Sequence, residues 1–199
     1  MSMARHPFAI RACGMAALMA IALAAPPRAN AYFFDVNAFY LSDSSSVSSA
    51  SSASSKLTYG LTLGVNIDKK GAWLVGWNYE ALSLSDTASS STTTYATTQM
   101  GPKFYVFFDK DRSWFLSAAY NISTKATYAS GAASSQDWTG TAIAASFGYQ
   151  GEVGSGAYMG LRLNYNAGSY SESAVGGTYS TISNSRTVIY PSVGLMIAW

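Results

Sequence analysis

The seven residues at the end of the sequence constrain its fold more than any other stretch. Val193, Leu195, Ile197 and Trp199 alternate with Gly194, Met196 and Ala198, and an aromatic stands last. Side chains on a strand have a period of two, so the first set covers one face and the smaller set the other. A soluble domain gains little from a final strand that leaves Trp exposed. A strand that closes a sheet inside a bilayer gains more, because its apolar face meets lipid and its aromatic sits at the boundary.

The opposite end supports export. Arg5 and Arg11 precede an apolar run from Gly14 to Ala25, which Pro26, Pro27 and Arg28 interrupt. Ala29-Asn30-Ala31 then supplies a small-x-small cleavage pattern, completing a secretory signal peptide over residues 1–31. The run is shorter than the roughly 20 residues of a spanning helix. Cys13 precedes the run, so a lipoprotein signal does not fit. Cleavage is expected after Ala31, leaving residues 32–199 as one domain that begins at Tyr32.

Removing that segment changes the charge. Loss of Arg5, Arg11 and Arg28 takes Lys plus Arg from 12 to 9 against an unchanged 10 acidic residues, so the net charge goes from +2 to −1. No basic patch remains to argue for nucleic acid. The only Cys (Cys13) and the only His (His6) lie in the removed segment. Charged residues are 11% of the chain, against about 25–35% at a soluble surface. Most of such a surface is not built to face water.

Between the ends, alternation recurs as strand, long polar segment, strand, short turn. A first strand over Phe33–Leu41 leads into a Ser-rich loop, Ser42–Lys56. In the second, Leu57, Tyr59, Leu61, Leu63, Val65 and Ile67 share a face, and Asp68–Gly71 makes a tight turn. The third carries Trp73, Val75, Trp77 and Tyr79 opposite Gly76, Asn78 and Glu80, before a loop over Ser83–Thr94. The fourth spans Tyr95–Phe108, with a bulge or bend expected at Pro102, which cannot donate to a ladder. The turn Asp109–Arg112 leads to a fifth with Trp114, Leu116, Ala118, Tyr120 and Ile122 aligned. A loop over Thr124–Asp137 precedes a sixth strand that aligns Thr141, Ile143, Ala145, Phe147 and Tyr149. Gly151–Gly156 joins it to a seventh with Ala157, Met159, Leu161, Leu163 and Tyr165, and a loop over Gly168–Asn184 precedes the eighth.

An even count of strands, with long loops at one end and short turns plus both termini at the other, predicts an all-β, eight-stranded antiparallel up-and-down transmembrane β-barrel. A soluble lipocalin-like barrel would turn the Gly, Thr, Asn and Ser face to water almost without Lys or Glu. The aromatics also fall in two expected girdles: Trp73, Phe108, Trp114, Tyr149 and Trp199 at the short-turn end, and Tyr40, Tyr59, Tyr79, Tyr95 and Tyr165 toward the long-loop end.

On this pattern over Tyr32–Trp199 the chain resembles the family of small eight-stranded outer-membrane barrels that includes outer-membrane proteins X and W and the barrel domain of outer-membrane protein A. The resemblance implies an outer-membrane location in a Gram-negative cell and contact with outer-membrane lipid and lipopolysaccharide. It also implies recognition of the C-terminal strand by the barrel-insertion machinery. Members of the superfamily are structural proteins, adhesins, small channels and a few enzymes, so fold alone leaves function open.

Catalysis is not expected. Enzymatic barrels similar in size use a His base, and the processed chain has none; Ser without a base is not an activated nucleophile. No G-x-S-x-G occurs, and no Ser stands three residues before a Lys. Without Cys or His and with scattered carboxylates, neither a metal nor a cofactor is expected.

Charges expected inside the barrel are few: Asp35, Glu80, Lys103, Arg162 and Arg186. They read either as a gate or as a paired plug, with Glu80 expected to pair with Lys103 and Arg162. An eight-stranded interior is just wide enough for side chains to fill, which favours the plug. The Ser/Thr-rich segments read as flexible surface loops able to meet an extracellular partner. The expected role is therefore structural or surface-interacting and non-enzymatic. The alternative is a narrow channel for small or apolar solutes.

Overall fold

Alternating residues produce eight strands, numbered in chain order: β1 (Tyr32–Val47), β2 (Ala50–Asn66), β3 (Trp73–Ala88), β4 (Ser91–Phe107), β5 (Trp114–Ser130), β6 (Gln136–Gly154), β7 (Ala157–Val175) and β8 (Thr178–Ala198). This computed structural model describes residues 32–47, 50–68, 71–88, 91–131 and 133–199. The expected signal peptide, 1–31, lies outside the described residues, as do Lys69 and Lys70 of the first tight turn. Each strand pairs antiparallel with the next and β8 returns to β1, closing an up-and-down barrel.

The faces follow the alternation. On β5, Trp114, Leu116, Tyr120 and Ile122 are exposed, whereas Phe115, Ser117, Ala119 and Asn121 are buried. Exposed large apolar side chains recur around the wall, among them Leu63, Phe104, Phe147, Leu161, Ile189 and Val193. A surface this rich in apolar side chains is suited to lipid.

The polar segments expected as loops are strand instead. Ser42–Lys56, Ser83–Thr94, Thr124–Asp137 and Gly168–Asn184 fall largely within paired hairpin arms. Low hydrophobicity does not prevent pairing where polar side chains bond directly across the ladder. Ser54 donates to Asp86 at 2.6 Å, Thr127 donates to Asp137 at 3.0 Å, and Thr87–Thr92 and Thr93–Ser130 lie 3.0 and 3.2 Å apart. All four are register partners. Gly176 and Gly177, both at positive φ (55° and 86°), reduce the fourth expected loop to a tight turn between β7 and β8. Strands of 16 to 21 residues exceed the roughly 9–11 that cross a bilayer, so the hairpins project beyond it.

The β4–β5 register shifts between Met100 and Lys103, as expected near Pro102, but the extra residue lies on β5, where three residues between Ala119 and Ser123 face two on β4; β4 itself keeps its alternation through Pro102. Similar irregularities follow between Asn121 and Thr124, Thr139 and Gly140, and Tyr170 and Glu172, in each successive strand pair from β4 to β8, and β6–β7 has a second near its short turn, between Glu152 and Gly154.

Closure is asymmetric. The register of β1 with β2 runs from Tyr32 to Val47, but that with β8 stops at Ala38↔Val193. Pro191, which has no N–H to donate, would meet Tyr40 if that register continued. Two apolar layers cross the interior. One, near the short turns, packs Phe33, Leu74, Tyr105, Phe107, Phe115, Met196 and Ala198; the other, near the hairpins, packs Leu82, Leu84, Tyr95, Ala126, Trp138 and Tyr170.

Candidate functional site

Between those layers lies a polar belt built from the inward positions of all eight strands. Asp35 is fully buried, and Glu80, Lys103 and Arg162 are at most 6% exposed. Four of the five charges expected inside are thus brought to one level of the lumen.

Their partners differ from those expected. Arg162 does not meet Glu80; its Nη1 and Nη2 donate to the two oxygens of Asp35 at 2.7 and 2.5 Å, the only ion pair among the described residues. The phenol of Tyr105 donates to the same carboxylate at 2.6 Å. Glu80 accepts instead from the phenol of Tyr190 and, at 3.3 Å, from the amide of Asn166. Lys103 is buried within electrostatic range of both carboxylates, with Nζ 5.0 Å from the centre of the Tyr105 ring. Arg162 has the shorter reach to Asp35 because β1 and β7 flank β8, and Gly194 on β8 offers no side chain between them. A Cβ at Gly194 would collide with the Arg162 guanidinium.

A ladder of neutral groups joins the two carboxylates. From Tyr105 it passes to Thr62 (3.2 Å), from there to Asn78 (3.1 Å), and on to Asn121 (3.5 Å). Asn121 then donates to Gln99 at 2.7 Å, and Gln99 donates to Asn166 at 3.1 Å, which holds Glu80. A second cluster links Ser146, Asn164 and Ser192 at 2.8 Å each. Within these two networks each group is bonded, which favours one arrangement of the belt, while Arg162 Nε and Ser117 Oγ are buried without a hydrogen-bond partner.

The fifth expected charge stands apart. Arg186 is half-buried higher on β8, with its guanidinium carbon 4.4 Å from the Tyr95 ring centre. That contact corrects a second expectation. Tyr95 is not part of the girdle: it is 3% exposed, points inward and bonds to the phenol of Tyr170. On β4 the outward residues are Met100, Pro102 and Phe104, so the odd-numbered Tyr95 has inward parity. Of the other girdle residues, Trp73, Phe108, Trp114, Tyr149 and Trp199 are exposed at the short-turn end, and Tyr40, Tyr59 and Tyr165 at the other, with Tyr79 half-buried against Tyr59. Tyr120, 52% exposed, completes the upper ring on β5.

Sequence reasoning missed Tyr105, Tyr190 and the amides Asn78, Gln99, Asn121 and Asn166. Their signal was available: each has inward parity on its strand.

Among the described residues no group of three or more His, Cys, Asp or Glu side chains could hold a metal. The arrangement can close an interior and balance its charge.

No family model matches the chain. No curated protein matches it either. Solved structures do. Neisserial surface protein A is similar over 87% of this chain and 100% of its own, at 16% identity and a TM-score of 0.56. The fold is that of the small eight-stranded outer-membrane barrels. The translocator domain of the autotransporter NalP from Neisseria meningitidis also aligns, at 11% identity over 94% of this chain and 69% of that one, with a TM-score of 0.41.

Proposed function

We propose that this chain is a non-enzymatic integral barrel of the outer membrane, closed to solutes, that serves as a rigid platform for four polar surface hairpins. The observation that carries the reading is the layered interior: a bonded polar belt held between two apolar layers. The barrel wall suits lipid, and the hairpins carry hydroxyl-rich faces suited to contacts outside the cell. Assembly would follow recognition of the alternating strand ending at Trp199 by the insertion machinery.

Single-channel recording of the refolded barrel in planar bilayers tests closure. The expected result is no steady current, with leakage appearing in Glu80→Ala. A large steady wild-type current would overturn the reading.

One observation favours a second reading, a route for small apolar solutes. Above Ala38↔Val193 the edges of β1 and β8 are unpaired and carry Tyr40, Leu41 and Ile189, all exposed. Engineered cysteines at Tyr40 and Pro191, crosslinked across the edge, distinguish the two. Uptake of an apolar probe that falls on crosslinking supports the route, and unchanged uptake excludes it.

A further inference from the structure

Two buried polar side chains at the short-turn end take no part in the belt. Arg112, in the β4–β5 turn, folds inward: it is 8% exposed, and its guanidinium carbon lies 5.9 Å from the centre of the Phe107 ring, a member of the lower apolar layer. The guanidinium reaches the β2–β3 turn, where a Cβ at Gly71 would collide with it. It forms no ion pair among the described residues, and its Nη1 is buried without a hydrogen-bond partner. The acid of its own turn is committed elsewhere, because Asp109 accepts from the backbone N–H groups of Ser113 and Trp114. Gln150 on β6 is the second. It is 1% exposed, and neither its Nε2 nor its Oε1 has a partner. Its backbone N–H donates to the carbonyl of Ser113 at 2.8 Å, so it stands beside the residue that follows Arg112.

Both groups oppose folding as they stand, one as a buried cation without a counter-ion and the other as a buried amide without partners. Arg112 is also the one non-glycine residue at positive φ among the described residues, at 56°. Strain and unmet polar groups gathered in one place mark a site that holds a ligand. A guanidinium presents N–H donors suited to a phosphate or a carboxylate. Gln150 narrows that choice, since its amide offers an acceptor as well as donors. An ionised carboxylate has no proton for that acceptor, and neither has a phosphodiester. Inorganic phosphate keeps at least one P–OH at neutral pH and can donate it.

We propose that the short-turn mouth of the barrel binds a phosphate that carries a proton, with Arg112 on its anionic oxygens and Gln150 accepting from its P–OH. The lower apolar layer closes the lumen above, which makes this a binding site and not an entrance. It goes beyond the platform reading above, under which the mouth opens to the periplasm.

The test is NMR of the refolded barrel in a nonionic detergent, near neutral pH and at constant ionic strength. The Arg112 Nε–H and Gln150 side-chain amide signals are followed during titration with inorganic phosphate, acetate or dimethyl phosphate. Both signals should shift saturably with inorganic phosphate, at about tenfold lower concentration than with either other anion. Gln150→Leu should weaken phosphate binding at Arg112 to the level of dimethyl phosphate. Lys110→Gln, an exposed change in the same turn, should leave the titration unaltered. Arg112→Gly should abolish the response of Gln150 and, because glycine accepts the positive φ, raise the urea midpoint in phosphate-free buffer. Heat-modifiable migration on gels establishes that each variant is folded. No saturable shift, equal response to the three anions, or a phosphate response that survives Arg112→Gly overturns the proposal. Failure of the outer-membrane reading is seen separately, as inverted or absent surface labelling in intact cells.

Discussion

Arg162 on β7 grips both oxygens of Asp35 on β1, 127 residues away, across the face of β8. The pair straps together the two strands on either side of the one that closes the barrel. That strap lies beside the least extensively paired junction of the wall, where β1 meets β8 over only six register pairs. It is therefore as much a part of closure as of the polar belt.

Breaking the strap from one side leaves a buried charge without its partner. Asp35→Asn or Arg162→Met should each cost about 3–5 kcal/mol, and the double variant less than the sum of the two. Gly194→Ala tests the same contact without touching a charge, since its methyl would occupy the guanidinium's place. Urea unfolding of the refolded barrel measures all four. Additive losses would remove the strap from the account of closure.

The Glu80 end of the belt has its own test. Tyr190→Phe keeps the ring but removes the proton donated to Glu80, and should cost about 1–3 kcal/mol. Tyr165→Phe, on the lipid-facing wall, should cost much less. Equal losses would mean that the Tyr190 hydroxyl does not support the carboxylate.

The strand count and the lipid face were legible because a period of two survives wherever one face meets lipid and the other a packed interior. The inward charges were legible for the same reason. Their pairing was not, because it depends on which strands flank β8 and on the empty space at Gly194, and alternation records neither. Tyr95 shows the cost of reading residue type before parity. The polar hairpins were misread as loops because apolar alternation ends where the bilayer does. Pairing goes on there through bonds such as Thr127 to Asp137.

The β4–β5 turn gives a pH signature. Slight burial pushes the Asp109 carboxyl up, but backbone N–H groups of Trp114 and Ser113, at 3.0 and 2.9 Å, hold it below its ordinary value of 3.8. A carboxyl depressed by folding stabilises the fold above its unfolded value and loses that contribution as pH falls through the folded one. Wild-type protein should therefore lose stability relative to Asp109→Asn only below about pH 4. A stability difference independent of pH would show that the ionised carboxylate is not what caps the turn.

Orientation can be read by labelling. Cysteines at Ser134 and Gly176, in the connections of the polar hairpins, should react with an impermeant reagent on intact cells. Cysteines at Asp111 and Ser155, in the short turns, should react only after permeabilisation. The reverse pattern would place the hairpins on the periplasmic side.

The closing strand allows the sharpest separation of causes. Tyr32 and Trp199 exchange two backbone hydrogen bonds of 3.0 Å each, and their rings lie 6.3 Å apart. Trp199→Ala removes the ring yet leaves both backbone bonds available, so it should lower stability modestly and weaken anchoring at the membrane boundary. Deleting Ile197–Trp199 removes those bonds and the partners of Phe33 and Phe34, taking two of the six β1–β8 register pairs. It also strips Ala198 from the lower apolar layer. Such a chain should refold poorly in vitro as well as assemble poorly in cells. If the deletion refolds normally in lipid vesicles yet fails to reach the membrane in cells, the segment acts as a recognition signal rather than as the seam. If Trp199→Ala alone abolishes assembly while refolding is unaffected, recognition is concentrated in the terminal ring. Normal refolding and normal membrane levels of the deletion would show that the closure seam tolerates the loss of its lower end.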